Sequence, residues 1–194
     1  MSSTHSTHRT REIAPEVKLE TYHPPGTYET FGEGVDHPLR EQAGVTPKEA
    51  SVAFIESRLG ASAVYDRGYA TDIVTHAYVK QTHDGIPFAN AVANVTFNKA
   101  DKVVAFGSSF VSPSSIAPST PTVSIEAAIA TAEAALGGTH TGHPATLQYL
   151  TMPDGSAALV HVVQVQNDEK GTSYEAFVDA HANVLVSVTD FVAA

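Results

Sequence analysis

The chain has 194 residues, 42% of them hydrophobic and 16% charged, enough for one large domain or two small ones with packed cores. Asp and Glu number 21 against 11 Lys and Arg, a net charge of −10, which argues against a nucleic-acid binder and its basic face. The absence of cysteine excludes disulfide frameworks, thiol catalysis, zinc ribbons and iron–sulfur clusters, and no apolar run approaches the ~18 residues that span a membrane.

In chain order, residues 1–45 are polar and broken by Pro and Gly, as in Tyr22-His23-Pro24-Pro25-Gly26-Thr27-Tyr28 and Gly32-Glu33-Gly34. Such interruptions exclude regular helix and central strand, so an extended N-terminal arm is expected. Tyr22, Tyr28 and Phe31 are much aromatic surface for a free tail, and they are candidate anchors on a partner or on their own domain. No apolar signal core follows Met1, which implies a cytosolic protein or one whose signal has been removed.

A helix is predicted from Thr46-Pro47-Lys48-Glu49, with Thr as N-cap, Pro at the first helical position and Glu at the third. Val52, Ile55 and Leu59 recur at helical spacing and Gly60 ends the run. Strands are expected over residues 72–81, 88–97 and 102–110, with turns at His83-Asp84-Gly85 and Asn98-Lys99-Ala100-Asp101. Residues 112–121 read as a Pro/Ser linker. The pattern then repeats. Ser124 caps a helix carrying Ile125, Ala128, Ile129, Ala132 and Leu136 on one face, and Gly137-Gly138 stops it. Strands follow over 146–151, 157–166, 174–179 and 184–190. The fold class is α+β: two subdomains, residues 46–111 and 122–194, each a helix packed on an antiparallel β-sheet.

Catalytic chemistry finds no constellation. His-Glu-x-x-His is absent. His140 and His143 flank Gly142 and precede Pro144, which makes them loop histidines, and His5 and His8 lie in the tail; neither pair has a third ligand. Gly32-Glu33-Gly34 lacks the strand and helix of a phosphate loop, and no serine sits in Gly-x-Ser-x-Gly. Asp84, Asp154 and Asp168 are in turns, where Asp serves the backbone. No catalytic residue, metal site or cofactor is expected, and the chain is not expected to be an enzyme. Asn94-Val95-Thr96 is a glycosylation candidate on a strand. His161, alternating with Leu159 and Val163, is either a pH-sensitive group or an ordinary strand residue.

Several segments together resemble the propeptide of the fungalysins, the secreted fungal zinc metalloproteases. Residues 7–13, Thr-His-Arg-Thr-Arg-Glu-Ile, are similar to that propeptide's start after the signal. Residues 75–81 through Gly85-Ile86-Pro87-Phe88, and residues 90–110, resemble the fungalysin/thermolysin propeptide motif. The second half, above all Tyr174-Glu175-Ala176-Phe177-Val178-Asp179-Ala180 and residues 186–190, resembles the PepSY module. The resemblance implies two cystatin-like subdomains behind the arm. It implies a secreted inhibitor and intramolecular chaperone whose partner is the catalytic domain of a fungalysin-type zinc metalloprotease. It places the processing junction near Phe191, Val192, Ala193 and Ala194, which would then contact the protease. Two other classes stay open. One is a free-standing cystatin-like inhibitor or binding module, although Gln164-Val165-Gln166 does not match the cystatin Gln-x-Val-x-Gly loop. The other is a small enzyme in a cystatin-like cone, which needs polar groups converging in space. Neither nucleic acid nor membrane is an expected partner.

Overall fold

The computed structural model describes residues 9–14 and 17–190, with side chains from residue 22 onward. Its contacts divide these residues into two units: residues 24–112, and residues 9–23 with 113–190. Among the described residues the fold is α+β, with two helices and mostly antiparallel sheets.

The chain opens with the antiparallel pair β1 (Arg9–Ala14) and β2 (Val17–Thr21). The first unit then contains β3 (Thr27–Val35), α1 (Pro47–Leu59), β4 (Ala63–Ala70), β5 (Val74–His83), β6 (Ile86–Asn98) and β7 (Val103–Ser108). Its sheet runs β4-β5-β6-β7-β3, antiparallel at every step. Helix α1 starts where the capping box predicts. The Thr46 hydroxyl accepts from the Glu49 N–H at 3.3 Å, and the Glu49 carboxylate accepts from the Thr46 N–H at 2.9 Å. Gly60 closes it in the left-handed conformation, φ 64°. The helix lays Ala50, Phe54 and Ile55 onto Ala77, Val79, Ala93 and Val95, all buried, with Val52 and Leu59 on the margin. Asp84 and Gly85, φ 50° and 76°, form a two-residue loop whose twist suits the β5–β6 hairpin.

Two strands of this unit depart from the sequence reading. Residues 27–35, expected within an extended arm, form the edge strand β3 on β7, with Thr27–Thr30 opposite Ala105–Ser108. The edge tolerates what a central strand does not, and the pairing breaks where Gly32 and Gly34 take φ 58° and 103°. Phe31 turns inward, stacked on Phe106 at 6.2 Å and edge-on to Phe54 at 6.2 Å. Strand β4 was not expected, because Asp66-Arg67-Gly68 interrupts its alternation. The ladder absorbs this with a bulge between Tyr65 and Arg67.

The second unit adds β8 (Ser115–Ile116), α2 (Ile125–Leu136), β9 (Thr139–His140), β10 (Thr146–Thr151), β11 (Ser156–Asn167), β12 (Thr172–Asp179) and β13 (Leu185–Asp190). Strands β10-β11-β12-β13 form an antiparallel meander. The short β8 runs parallel to the start of β11, and β9 antiparallel to its end. Ala128, Ala132 and Leu136 let α2 sit close over Val163, Val165, Ala176, Val178 and Val188. Part of the Pro/Ser stretch is fastened to this unit, since the Tyr149 hydroxyl donates to the Ala117 carbonyl at 2.8 Å and Ala117 N–H donates to Ala157.

Candidate functional site

Alternation along a strand sends every second side chain to the face away from the helix. In the first unit Ala77, Val79, Ala93, Val95 and Phe97 serve the α1 face. The positions between them build a helix-free face in three cross-strand rows. One row is Val64, Lys80 and Val92, directly opposite one another on β4, β5 and β6. The next is Arg67, Tyr78, Asn94, Gly107 and Tyr28, crossing all five strands. The third is Tyr69, His76, Thr96, Ala105 and Thr30.

These side chains organise one another. The Arg67 guanidinium lies over the Tyr78 ring, 5.2 Å from its centroid. Tyr69 leans on His76, ring centroids 4.8 Å apart, and stacks toward Tyr78 at 6.4 Å. A hydrogen bond with the Tyr78 side chain raises the Tyr69 phenol above its ordinary value. His76 Nδ1 is 3.0 Å from the Thr96 hydroxyl. Lys80 approaches Asp66 at 3.7 Å. Gly107 is the gap in the middle row: a Cβ there would meet Asn94 Oδ1 at 2.7 Å. Despite this packing, Tyr28 is 71% exposed and Tyr69 54%, and Val64 and Val92 are exposed beside them.

The residues singled out from sequence fall in different places. Tyr28 and Asn94 lie on this face, in one row, whereas Phe31 belongs to the core on the other side of the sheet. Tyr22 is half-buried in the segment between β2 and β3. Phe191, Val192, Ala193 and Ala194 lie outside the described residues, as do His5 and His8. The His140 ring is bound to the carbonyl of His143, with Nε2 at 2.9 Å from it. Among the described residues there is no group of three or more His, Cys, Asp or Glu side chains placed to hold a metal ion. His161 is buried, with Nε2 2.7 Å from the Val123 carbonyl at the start of α2. Arg67 and Tyr69 escaped the sequence reading, and His76 and Tyr78 enter it only within the motif residues 75–81, not as a surface cluster. Their signal is a two-residue spacing that is legible only once β4 is known to pair with β5.

Comparison with known proteins adds one family. Residues 70–110 match the Fungalysin/Thermolysin Propeptide Motif. The matched stretch contains all of β5, β6 and β7. No curated protein matches the chain. Among solved structures, the chain is similar to the Bacillus megaterium YpeB C-terminal domain, at 12% identity and a TM-score of 0.44 over 96% of this chain and 88% of that one. Among the described residues, no helix is long and apolar enough to cross a membrane.

Proposed function

We propose that the chain is a regulatory propeptide: an inhibitor and intramolecular folding chaperone of a secreted zinc metalloprotease of the fungalysin type. The observation that carries this reading is the match of residues 70–110 to the fungalysin/thermolysin propeptide motif. The match falls on three adjacent strands that form one packed body with α1, so it spans a structural unit of the sheet. In this reading each unit is a cystatin-like subdomain, the second of PepSY type, and the chain regulates catalysis without performing it. The partner is the protease catalytic domain. Tyr22 and Tyr28 contact it from the segment before α1, and Phe191, Val192, Ala193 and Ala194 reach its active-site cleft from the end of β13. Phe191 and Val192 are apolar side chains of the kind a thermolysin-like pocket accepts, while Ala193 and Ala194 leave room for backbone near the metal.

The test is inhibition of a fungalysin-type catalytic domain by the purified chain, followed by refolding of the denatured protease with and without it. Inhibition together with accelerated recovery of activity is expected. A chain that neither inhibits nor assists refolding would refute the reading. Truncation after Thr189 examines the tail separately: weaker inhibition is expected, and unchanged inhibition would remove Phe191–Ala194 from the contact.

A further inference from the structure

We infer that the helix-free face of the first unit's sheet, centred on Arg67, Tyr69 and Tyr78, is the surface by which this chain docks on the protease catalytic domain, against an acidic, acceptor-rich patch of that domain. The inference rests on the propeptide reading and names the surface it uses. Folding accounts for only one of the two faces of this five-stranded sheet. Ala77, Val79, Ala93, Val95, Phe97 and Phe106 are what any helix lying on an antiparallel sheet requires. The alternating set asks for nothing but solubility, and on a sheet face left to solvent that set is ordinarily charged or small and polar. Here it carries Tyr28, Tyr69, Val64 and Val92, all exposed. Large apolar side chains gathered on one exposed face mark an interaction surface, whereas single scattered ones do not.

Composition and charge select the partner. Tyr and Arg are the residues that most often dominate binding energy at protein interfaces. Arg67 and Tyr78 are already stacked, and Tyr69 is already leaned on His76, so little side-chain freedom remains to be lost on association. The face also carries Arg67 and Lys80 in a chain of net charge −10: Lys80 is paired with Asp66, the bulged residue beside Arg67, and among the described residues no ion pair involves Arg67. Arg67 therefore presents an uncompensated charge, suited to carboxylates and carbonyls on the partner. Five strands at about 4.8 Å spacing give a face roughly 20 Å across, the width of a protein interface rather than of a small-molecule site.

The experiment compares the full chain with Arg67→Glu, Tyr69→Ala and Tyr28→Ser, and with Ile125→Ser, an exposed position on α2 in the other unit, as control. Inhibition constants against a fungalysin-type catalytic domain and melting temperatures are measured for each. The expected result is inhibition weakened about tenfold or more by each face variant and unchanged by Ile125→Ser, with all melting temperatures close to that of the unaltered chain. The Arg67→Glu loss should shrink as salt is raised. Face variants that inhibit within about twofold of the unaltered chain would overturn the docking face and leave the propeptide reading standing. An unaltered chain without inhibition would overturn that reading, and the docking face with it. Should Arg67→Glu or Tyr69→Ala lower the melting temperature, Tyr28→Ser decides, because Tyr28 is 71% exposed and its truncation leaves the fold intact.

Discussion

Arg58, in the last turn of α1, donates from Nη2 to both carboxylate oxygens of Glu29 on the edge strand β3, at 2.8 and 2.7 Å. The same guanidinium lies 5.7 Å from the Phe31 ring centroid and 5.8 Å from that of Phe106. One side chain thus ties a strand that the sequence leaves irregular to a helix that the sequence states clearly.

The two partners should not be equivalent. Both are about half exposed, so the ion pair itself contributes little, and Glu29→Gln should cost about 0.5 kcal/mol or less. Arg58→Ala also removes the stem and guanidinium from two rings, and should cost about 1–2 kcal/mol. Denaturant unfolding of both variants checks the order; equal losses would place the energy in the ion pair.

Gly34 distinguishes an ordered edge strand from a free arm. Its φ is 103°, and a Cβ there would stand 2.6 Å from Lys102 Cβ. Gly34→Ala should therefore destabilise the first unit by about 1–3 kcal/mol. In a free arm the same change would be neutral or slightly stabilising.

Gln81 is buried, and its amide engages both backbone groups of Val111. Nε2 donates to the Val111 carbonyl and Oε1 accepts from the Val111 N–H, both at 2.8 Å. Gln81→Leu keeps the volume and leaves a donor and an acceptor without their partner, a loss of about 1–3 kcal/mol. Hydrogen exchange at the Val111 amide should accelerate in the same variant, a readout that general loosening of the core would not confine to one position.

The capping box makes the start of α1 sensitive to acid. Hydrogen bonds from the Thr46 backbone and hydroxyl hold the Glu49 carboxyl below its ordinary value of 4.5. Its contribution is complete above that ordinary value and is lost as pH falls through the lowered one. Thr46→Ala should lower the melting temperature by roughly 5 °C near neutral pH. The gap between native and variant should narrow below pH 4, because the native chain then loses the hydroxyl-to-carboxylate hydrogen bond that the variant lacks at every pH, whereas the Thr46 backbone N–H serves Glu49 in both. A gap independent of pH would show that the Thr46 hydroxyl acts alone.

Local chemistry was legible wherever it decides structure without help from distant residues. Thr46-Pro47-Lys48-Glu49 specifies a helix start through its own hydrogen bonds, and Asp84-Gly85 specifies a hairpin through its own backbone preferences. Strands β5 through β7 and β10 through β13 were visible as bounded apolar runs between turn residues. Strands β3 and β4 were not, because edge strands need little apolar alternation and tolerate Gly, Asp and a bulge. Their existence depends on a partner strand supplying the ladder.

By itself, then, the sequence determined the class, two helices each with antiparallel strands, and the absence of any recognisable catalytic motif. It also marked residues 75–88 and 90–110 as resembling a propeptide motif, through an order of residues that needs no coordinates. Only the tertiary structure decided which side chains of that motif and of the neighbouring strand β4 point away from the core. Facing is set by register, and register is a relation between strands: Arg67 meets Tyr78 and Tyr69 meets His76 because β4 bulges by one residue on β5. It also decided that Phe31 is core and Tyr28 is surface, three positions apart on one strand. The ring of Phe31 finds Phe54 and Phe106 within reach, and that of Tyr28 lies across Gly107.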